Sequence, residues 1–280
     1  MAERRAVPAP AGLPAGAVDC HAHVMRVDAP LVRQRHSAPA RDVTAEEYLA
    51  LLDAHGVRCG VLTAPSFYGT DNGLLLQALG HAPDRLRGTA IVDPGIGDAE
   101  LDALRAQGVV GVRLNWIRRA ALPDPAGADY RALYARLRER DMHIELYLES
   151  AHQAQVLPPI LDSGVRLVLD HLGSPDPAQG PHGAAFGRVL AALQSGRVWV
   201  KLSAPYRLAG ADAAPYARAL LRAGGPQRLV WATDWPWVGY ENAVTYRQCI
   251  DWLFQWVPDD AQRQAILVDT PRELFHFPGA

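Results

Sequence analysis

The chain has 280 residues, 49% of them hydrophobic, and a formal net charge of −2. That length and apolar content can bury one large core, and the near-neutral charge supplies no long-range field for nucleic acid or an anionic membrane surface. Cys20, Cys59 and Cys249 are odd in number, far apart and outside any CxxC pair, which points to a reducing cytoplasm and away from a disulfide framework or structural zinc site.

Residues 1–16 are broken by proline and glycine and lack the continuous apolar stretch of a signal peptide, so they read as a disordered tail ahead of a single domain over 17–280. No window approaches the roughly 20 apolar residues needed to cross a bilayer. Short apolar, often β-branched runs then alternate with segments of helical period, the pattern of βα units and a parallel sheet. The strand candidates are 18–24, 57–64, 86–92, 109–115, 142–148, 165–171, 198–202 and 229–233, with helices that include 129–140, 151–162, 211–222, 241–256 and 259–268. Eight such units predict an α/β protein of the closed (β/α)8 TIM-barrel type. Gly56, Gly108 and Gly164 read as helix C-caps. Thr70 or Asp71 is expected to cap the helix GLLLQAL, leaving Asp71 and Asn72 structural.

In such a barrel the C-terminal strand ends form one mouth, and here they carry His21, His23, Ser66, Arg113, Tyr147, His171, Lys201 and Asp234. In DCHAH the two histidines stand at i and i+2, on one face of a strand. LVLDHLGSP brings His171 to a second strand end, and LVWATDWPW brings Asp234 to a third. A single buried histidine is an ordinary core residue, but this set at separate strand ends reads as a site. Two chemistries are open to it. His21, His23 and Asp234, with His171 as a further ligand, suit one divalent ion such as zinc or manganese, which would turn bound water into hydroxide near neutral pH. Without a metal, the three rings could polarise a carbonyl while Asp234 takes a proton from water.

GVRLNWIRR adds cations. Arg113 lies inside an apolar run, where a charge needs a partner, and Arg119 follows six residues later in the loop. Guanidinium forks match carboxylates, so the pair suggests an anionic substrate. Arg207, after VWVKLSA, is a third candidate; Arg118 reads as solvated and Lys201 ranks below the arginines. Ser66 and Tyr68 are candidate donors to the same anion. Trp231, Trp235 and Trp237 read as pocket walls and not as a nucleic-acid surface. No GxSxG elbow, P-loop or GxGxxG is found.

Taken in order, DCHAH, PSFYGTDN, GVRLNW with Arg119, LVLDHLG, VKLSAPYR and WATDWPW resemble the amidohydrolase superfamily, in the branch of the pyrone-dicarboxylate and sulfomuconolactone lactonases, from Val18 to Phe275. The resemblance implies a distorted TIM barrel that hydrolyses lactones. It implies that Asp234 activates water, that His21, His23 and His171 polarise the lactone carbonyl, and that Ser66, Arg113, Arg119, Tyr147 and Arg207 bind substrate carboxylates. Strand five offers LYLES with no histidine, so a binuclear metal cage is not expected; no cofactor is expected to be required, with one zinc as the alternative. Two departures from that branch stand out. Ser174 replaces an arginine three residues after His171, and RHSAPARD offers His36 or Ser37 where a tyrosine is usual. Both favour a smaller or less charged lactone. The expectation is a cytoplasmic lactone hydrolase of aromatic breakdown, opening a carboxylated lactone like 2-pyrone-4,6-dicarboxylate by water attack on the ring carbonyl. A mononuclear metal-dependent decarboxylase or amide hydrolase on the same barrel, and a non-catalytic carboxylate-binding protein, are the alternatives.

Overall fold

The computed structural model describes residues 12–278. The strands β1 (Val18–Ala22), β2 (Cys59–Thr63), β3 (Leu86–Ala90), β4 (Val109–Asn115), β5 (His143–Tyr147), β6 (Arg166–Leu169), β7 (Val198–Leu202) and β8 (Leu229–Trp231) pair in parallel in chain order. Between them run α1 (Ala45–Ala54), α2 (Gly73–His81), α3 (Asp98–Ala106), α4 (Ala128–Glu139), α5 (Gln153–Asp162), α6 (Ala184–Leu193) and α7 (Ala214–Gly224), and α8 (Tyr246–Trp256) follows β8. This is the expected (β/α)8 barrel. Residues 1–11 of the expected tail lie outside the described residues; of the remainder, Leu13 packs against the core. Cys20, Cys59 and Cys249 are buried thiols. Among the described residues no helix is long and apolar enough to cross a membrane.

Several strands stop short of their expected ends. Pairing ends at Ala22, Leu169 and Trp231, so His23, His171 and Asp234 stand just beyond the ladders, where a side chain can turn into the mouth. The helix expected over 241–256 begins only at Tyr246, because the Thr245 hydroxyl accepts from the Gln248 amide at 3.2 Å and fixes the first turn there. The helix expected over 259–268 is broken by one π turn, Ala265–Asp269, between α9 (Asp260–Gln264) and α10 (Thr270–Leu274). Neither Thr70 nor Asp71 is the N-cap of α2. That position is Asn72, whose amide pairs in both directions with the Ile91 backbone at 2.9 and 3.1 Å, tying the helix start to the chain after β3.

The barrel interior has two levels. The floor is apolar: Val18, Cys20, Cys59, Val61, Val110, Val168, Trp199, Val230 and Ala232, closed by Leu274, Phe275 and Phe277 of the C-terminal segment. Above it lies a buried polar layer of Thr63, Thr89, Arg113, Glu145, Asp170 and Lys201. Strict alternation would turn consecutive residues to opposite faces, yet Cys20 belongs to the floor and His21 reaches the polar layer. The register irregularity of β1 between Asp19 and Ala22 allows both. A side chain at Gly111 on β4 would overlap the His143 ring, so glycine there lets β5 place its histidine inside the barrel.

The ring closes at the β1–β8 seam. Asp234 N donates to His21 O and His23 N to Trp235 O, both at 2.9 Å. Below them the Asp19 carboxylate accepts from Thr233 N at 2.9 Å, Thr233 Oγ1 at 2.6 Å and Tyr246 Oη at 3.2 Å.

Burial, with the nearby Lys201 charge, holds the His143 imidazole down at about 3, against an ordinary 6.5. As pH falls from 7, the unfolded chain takes up a proton that the folded chain refuses until about pH 3, so this ring's contribution to stability is lost on acidification. Between pH 7 and 5 the ring should account for about 2 kcal/mol of that loss. Urea denaturation at the two pH values checks it: His143→Leu should lose about 2 kcal/mol less than the wild type over the interval, and equal losses would refute the assignment.

Candidate active site

A cavity of about 530 Å³ opens at the C-terminal strand ends, and His23, Ser66, Arg113, Tyr147, His171, Arg207 and Asp234 all line it. His21 lies beneath them, fully buried. Its Nε2 is 3.3 Å from His23 Nε2 and 3.5 Å from Asp234 Oδ1; His23 Nε2 is also 3.5 Å from that oxygen, and His171 Nε2 is 3.9 Å from it. Three imidazoles thus converge on one carboxylate oxygen. The other, Oδ2, accepts from Tyr206 Oη at 2.7 Å and from Arg207 Nη2 and Nε at 2.7 and 3.1 Å. Asp234 and His171 adopt left-handed backbone, with φ of 62° and 49°. Such conformations are costly for residues other than glycine and collect at functional sites.

The remaining ring contacts orient the imidazoles. His23 Nδ1 sits 2.7 Å from the Thr63 carbonyl, and His171 Nδ1 sits 2.9 Å from the Ser203 hydroxyl. Burial, followed by the Lys201 charge, holds His21 well below the usual histidine value, and burial brings His171 down to about 4. For Asp234, burial pushes upward, but Arg207 and His171 outweigh it and hold the carboxyl well below its usual range. At neutral pH the site therefore has uncharged His21 and His171 beside an anionic Asp234.

Below the mouth lies a charge cluster. Lys201 Nζ is 2.5 Å from Glu145 Oε2, 2.9 Å from His21 Nδ1 and 3.2 Å from Asp170 Oδ1. Arg113 donates to Asp170 Oδ2 at 3.0 Å and to the Ala64 carbonyl at 3.1 Å. Thr63 Oγ1 donates to Glu145 Oε1 at 3.2 Å, and Thr89 Oγ1 lies 3.2 Å from Oε2. Burial and the neighbouring Asp170 raise Glu145. Burial also pushes Asp170 up, but Lys201, His21 and Arg113 outweigh it and hold Asp170 well below the carboxylate range. Sequence reading singled out neither acid. The available signals were Glu145 alternating with Tyr147 in HIELY, Asp170 directly before His171, and Lys201 in a third apolar strand, each a charge where burial demands a partner.

Other readings shift. Tyr68 is no anion donor: its hydroxyl donates to Arg26 O at 2.7 Å and accepts from Arg26 N at 2.8 Å, pinning the loop after β1. Arg119 does not line the main cavity; it lies in an adjoining recess with Arg35, His36, Ser66 and Arg118. Arg118 is exposed, as expected, yet lines both spaces. His36 and Ser37 line the main cavity, whereas Ser174 lines a separate recess beside Tyr147 and Arg207. Burial and then Arg118, Arg113 and Arg207 lower His36, a sign of the positive potential at the mouth. His21, His171 and Asp234 offer ligand-type atoms within 4.8 Å of one another, as do His21, Glu145 and Asp170, though the Lys201 ammonium lies among the latter.

A family model described as amidohydrolase matches residues 18–277. The 2-pyrone-4,6-dicarboxylate hydrolase of Comamonas testosteroni is 29% identical, over 94% of this chain and 91% of its own. The 4-sulfomuconolactone hydrolase of Rhizobium radiobacter is 30% identical, over 97% and 93%. The crystal structure of a probable 2-pyrone-4,6-dicarboxylic acid hydrolase from Acinetobacter baumannii, with citric acid bound, superposes with a TM-score of 0.89 and 32% identity over 94% of this chain and 100% of that one.

A buried carboxylate stripped of a hydroxyl partner loses stability. Thr89→Val should cost about 1–3 kcal/mol, read as a lower urea midpoint with an unchanged m-value. An unaltered midpoint would mean that Glu145 does not depend on that hydroxyl.

Proposed function

The chain belongs to the amidohydrolase family, and we propose that it is a hydrolase that opens a small carboxylated lactone by water attack on the ring carbonyl. The observation that carries this reading is the single free oxygen of Asp234, 3.5 Å from each strand-one imidazole and set in a cavity also lined by Arg113, Arg118 and Arg207. It is supported by the two relatives described above, both named as hydrolases, and by the citric acid, a polycarboxylate, in the Acinetobacter structure.

Asp234 Oδ1 takes a proton from water as the water oxygen attacks the carbonyl carbon; the ring C–O bond then breaks, and the proton passes to the departing oxygen. Arg207 and Tyr206 hold the other carboxylate oxygen, so the base is aimed by its own partners. His23, its Nδ1–H tied to the Thr63 carbonyl, walls the water site beside Asp234 Oδ1, 3.5 Å away. That leaves His171, on the cavity wall, to face the oxygen on which charge develops. His21, His171 and Asp234 offer ligand-type atoms to one divalent ion. The Lys201 ammonium, 2.9 Å from His21 Nδ1, however, stands where a metal-bound imidazole ordinarily finds a carboxylate or carbonyl, so each step is assigned to the chain's own groups.

The cations divide the work. Arg113 is committed to Asp170 and Ala64 O, and Arg207 to Asp234. Among the described residues Arg118 has no carboxylate partner for its side chain, so it is the cation freest to meet a substrate anion. With serine at position 174, the recess beside Arg207 has Arg118 as its other cation and is also lined by Glu149 and Asp176, which favours lactones bearing less charge on that side.

Proton release on adding 2-pyrone-4,6-dicarboxylate and a panel of monocarboxylated lactones tests the reading; no turnover of any of them would reject it. Asp234→Asn should lower kcat by about a thousandfold or more while leaving the unfolding transition in place. Retained turnover would remove Asp234 as the base. Arg118→Met should raise KM about tenfold with kcat little changed, and a change confined to kcat would count against a binding role.

A further inference from the structure

We propose that Lys201 is a positioning residue that fixes the tautomer of His21, making the strand-one histidine pair a hydrogen-bond relay and not a two-imidazole metal site. The inference is independent of which lactone or ester the cavity accepts.

An ammonium has donors and no acceptor. With Lys201 Nζ 2.9 Å from His21 Nδ1, that nitrogen presents its lone pair, and the single proton of the neutral ring is on Nε2. The second ring is fixed from the opposite side. His23 Nδ1 lies 2.7 Å from the Thr63 carbonyl, which only accepts, so His23 carries its proton on Nδ1 and its Nε2 is bare. The two Nε2 atoms are 3.3 Å apart, and these assignments place a donor opposite an acceptor there. Every contact is then satisfied: Lys201 donates to His21, His21 to His23, and His23 to Thr63.

The opposite tautomer fails at two places. A proton on His21 Nδ1 would face the ammonium, and two lone pairs would confront each other across the 3.3 Å gap between the Nε2 atoms. Its natural acceptor would be Asp170 Oδ1, 3.3 Å away, an oxygen that the Lys201 ammonium also approaches, at 3.2 Å. A metal-ligating histidine ordinarily donates its outer N–H to a carboxylate or carbonyl, which frees the inner lone pair for the ion. Lys201 reverses that polarity at His21. The carboxylates that could have accepted the outer proton, Glu145 and Asp170, are instead directed to the lysine.

The test starts with wild-type protein and long-range ¹H–¹⁵N correlation of its imidazoles, which should place the proton on Nε2 of His21 and on Nδ1 of His23. A proton on His21 Nδ1 would overturn the proposal, and this measurement decides even where a substituted chain fails to fold. Competition with a chromophoric chelator then compares zinc binding. Lys201→Met should bind zinc at least about tenfold more tightly than the wild type, and the gain should vanish when His21→Ala is added. Because Lys201→Met leaves two acids side by side, the Lys201→Met/Glu145→Gln chain is measured as well and should show the same gain. Equal zinc affinity in wild type and folded variants would overturn the proposal.

Discussion

The seam between first and last strands is the constraint on which the site depends. Parallel barrels must join β1 to β8 without a hairpin, and here an isolated backbone bridge, Ala22 to Trp235, is supplemented by a side chain. The Asp19 carboxylate gathers the Thr233 amide, the Thr233 hydroxyl and the Tyr246 hydroxyl, although burial raises its pKa to about 6. Immediately above, His21 O accepts from Asp234 N, and His23 N donates to Trp235 O. The strand-one imidazoles and the carboxylate they face are therefore spaced by main-chain hydrogen bonds, and their geometry does not rely on long loops. Precision of this kind is what proton transfer requires.

Beneath the seam, the apolar floor and the charged layer act together. A lysine, an arginine and two carboxylates with negligible exposure sit above a hydrophobic plug that excludes water from below. Their mutual attraction mainly offsets the cost of removing them from water, so the cluster is weak evidence for stability as such. Its consequence is directional. Removing any one partner strands a charge, a loss of about 3–5 kcal/mol in comparable buried pairs, so each side chain is confined to one arrangement. His21 is included in that arrangement, which is how charges outside the cavity determine what a cavity histidine's neighbour can donate.

The sequence made the barrel legible because eight apolar runs, each with a polar residue near its end, have few other solutions. Three histidines and Asp234 were legible for the same reason: each sits at the end of a run that must be buried. Partnership was not. Lys201 and Glu145 are 56 positions apart and Lys201 and His21 are 180 apart, and only closure of the ring makes them neighbours. A charge in a buried run announces that a partner exists without saying which. The same limit explains Tyr68, whose phenol reads as a donor for substrate but meets the Arg26 backbone once the loop after β1 folds over it. Arg118 and Arg119 are adjacent in sequence, and the left-handed turn at Arg118, with φ of 56°, divides them so that only the first also borders the main cavity.

Asp234 is surrounded by more positive than negative potential, which explains how one carboxylate can be both buried and ionised. Burial alone would leave it protonated and useless as a base. The Arg207 guanidinium, followed by His171, prevents that, and Arg207 and the Tyr206 hydroxyl bind one oxygen only, leaving the other directed at the imidazoles. A carboxylate held symmetrically by two guanidinium forks would be equally anionic but would have no lone pair to offer water. The division of Asp234 into a held oxygen and a working oxygen thus reconciles a low pKa with a role in moving protons. It also places Arg207 with the machinery of the base as much as with the grip on substrate.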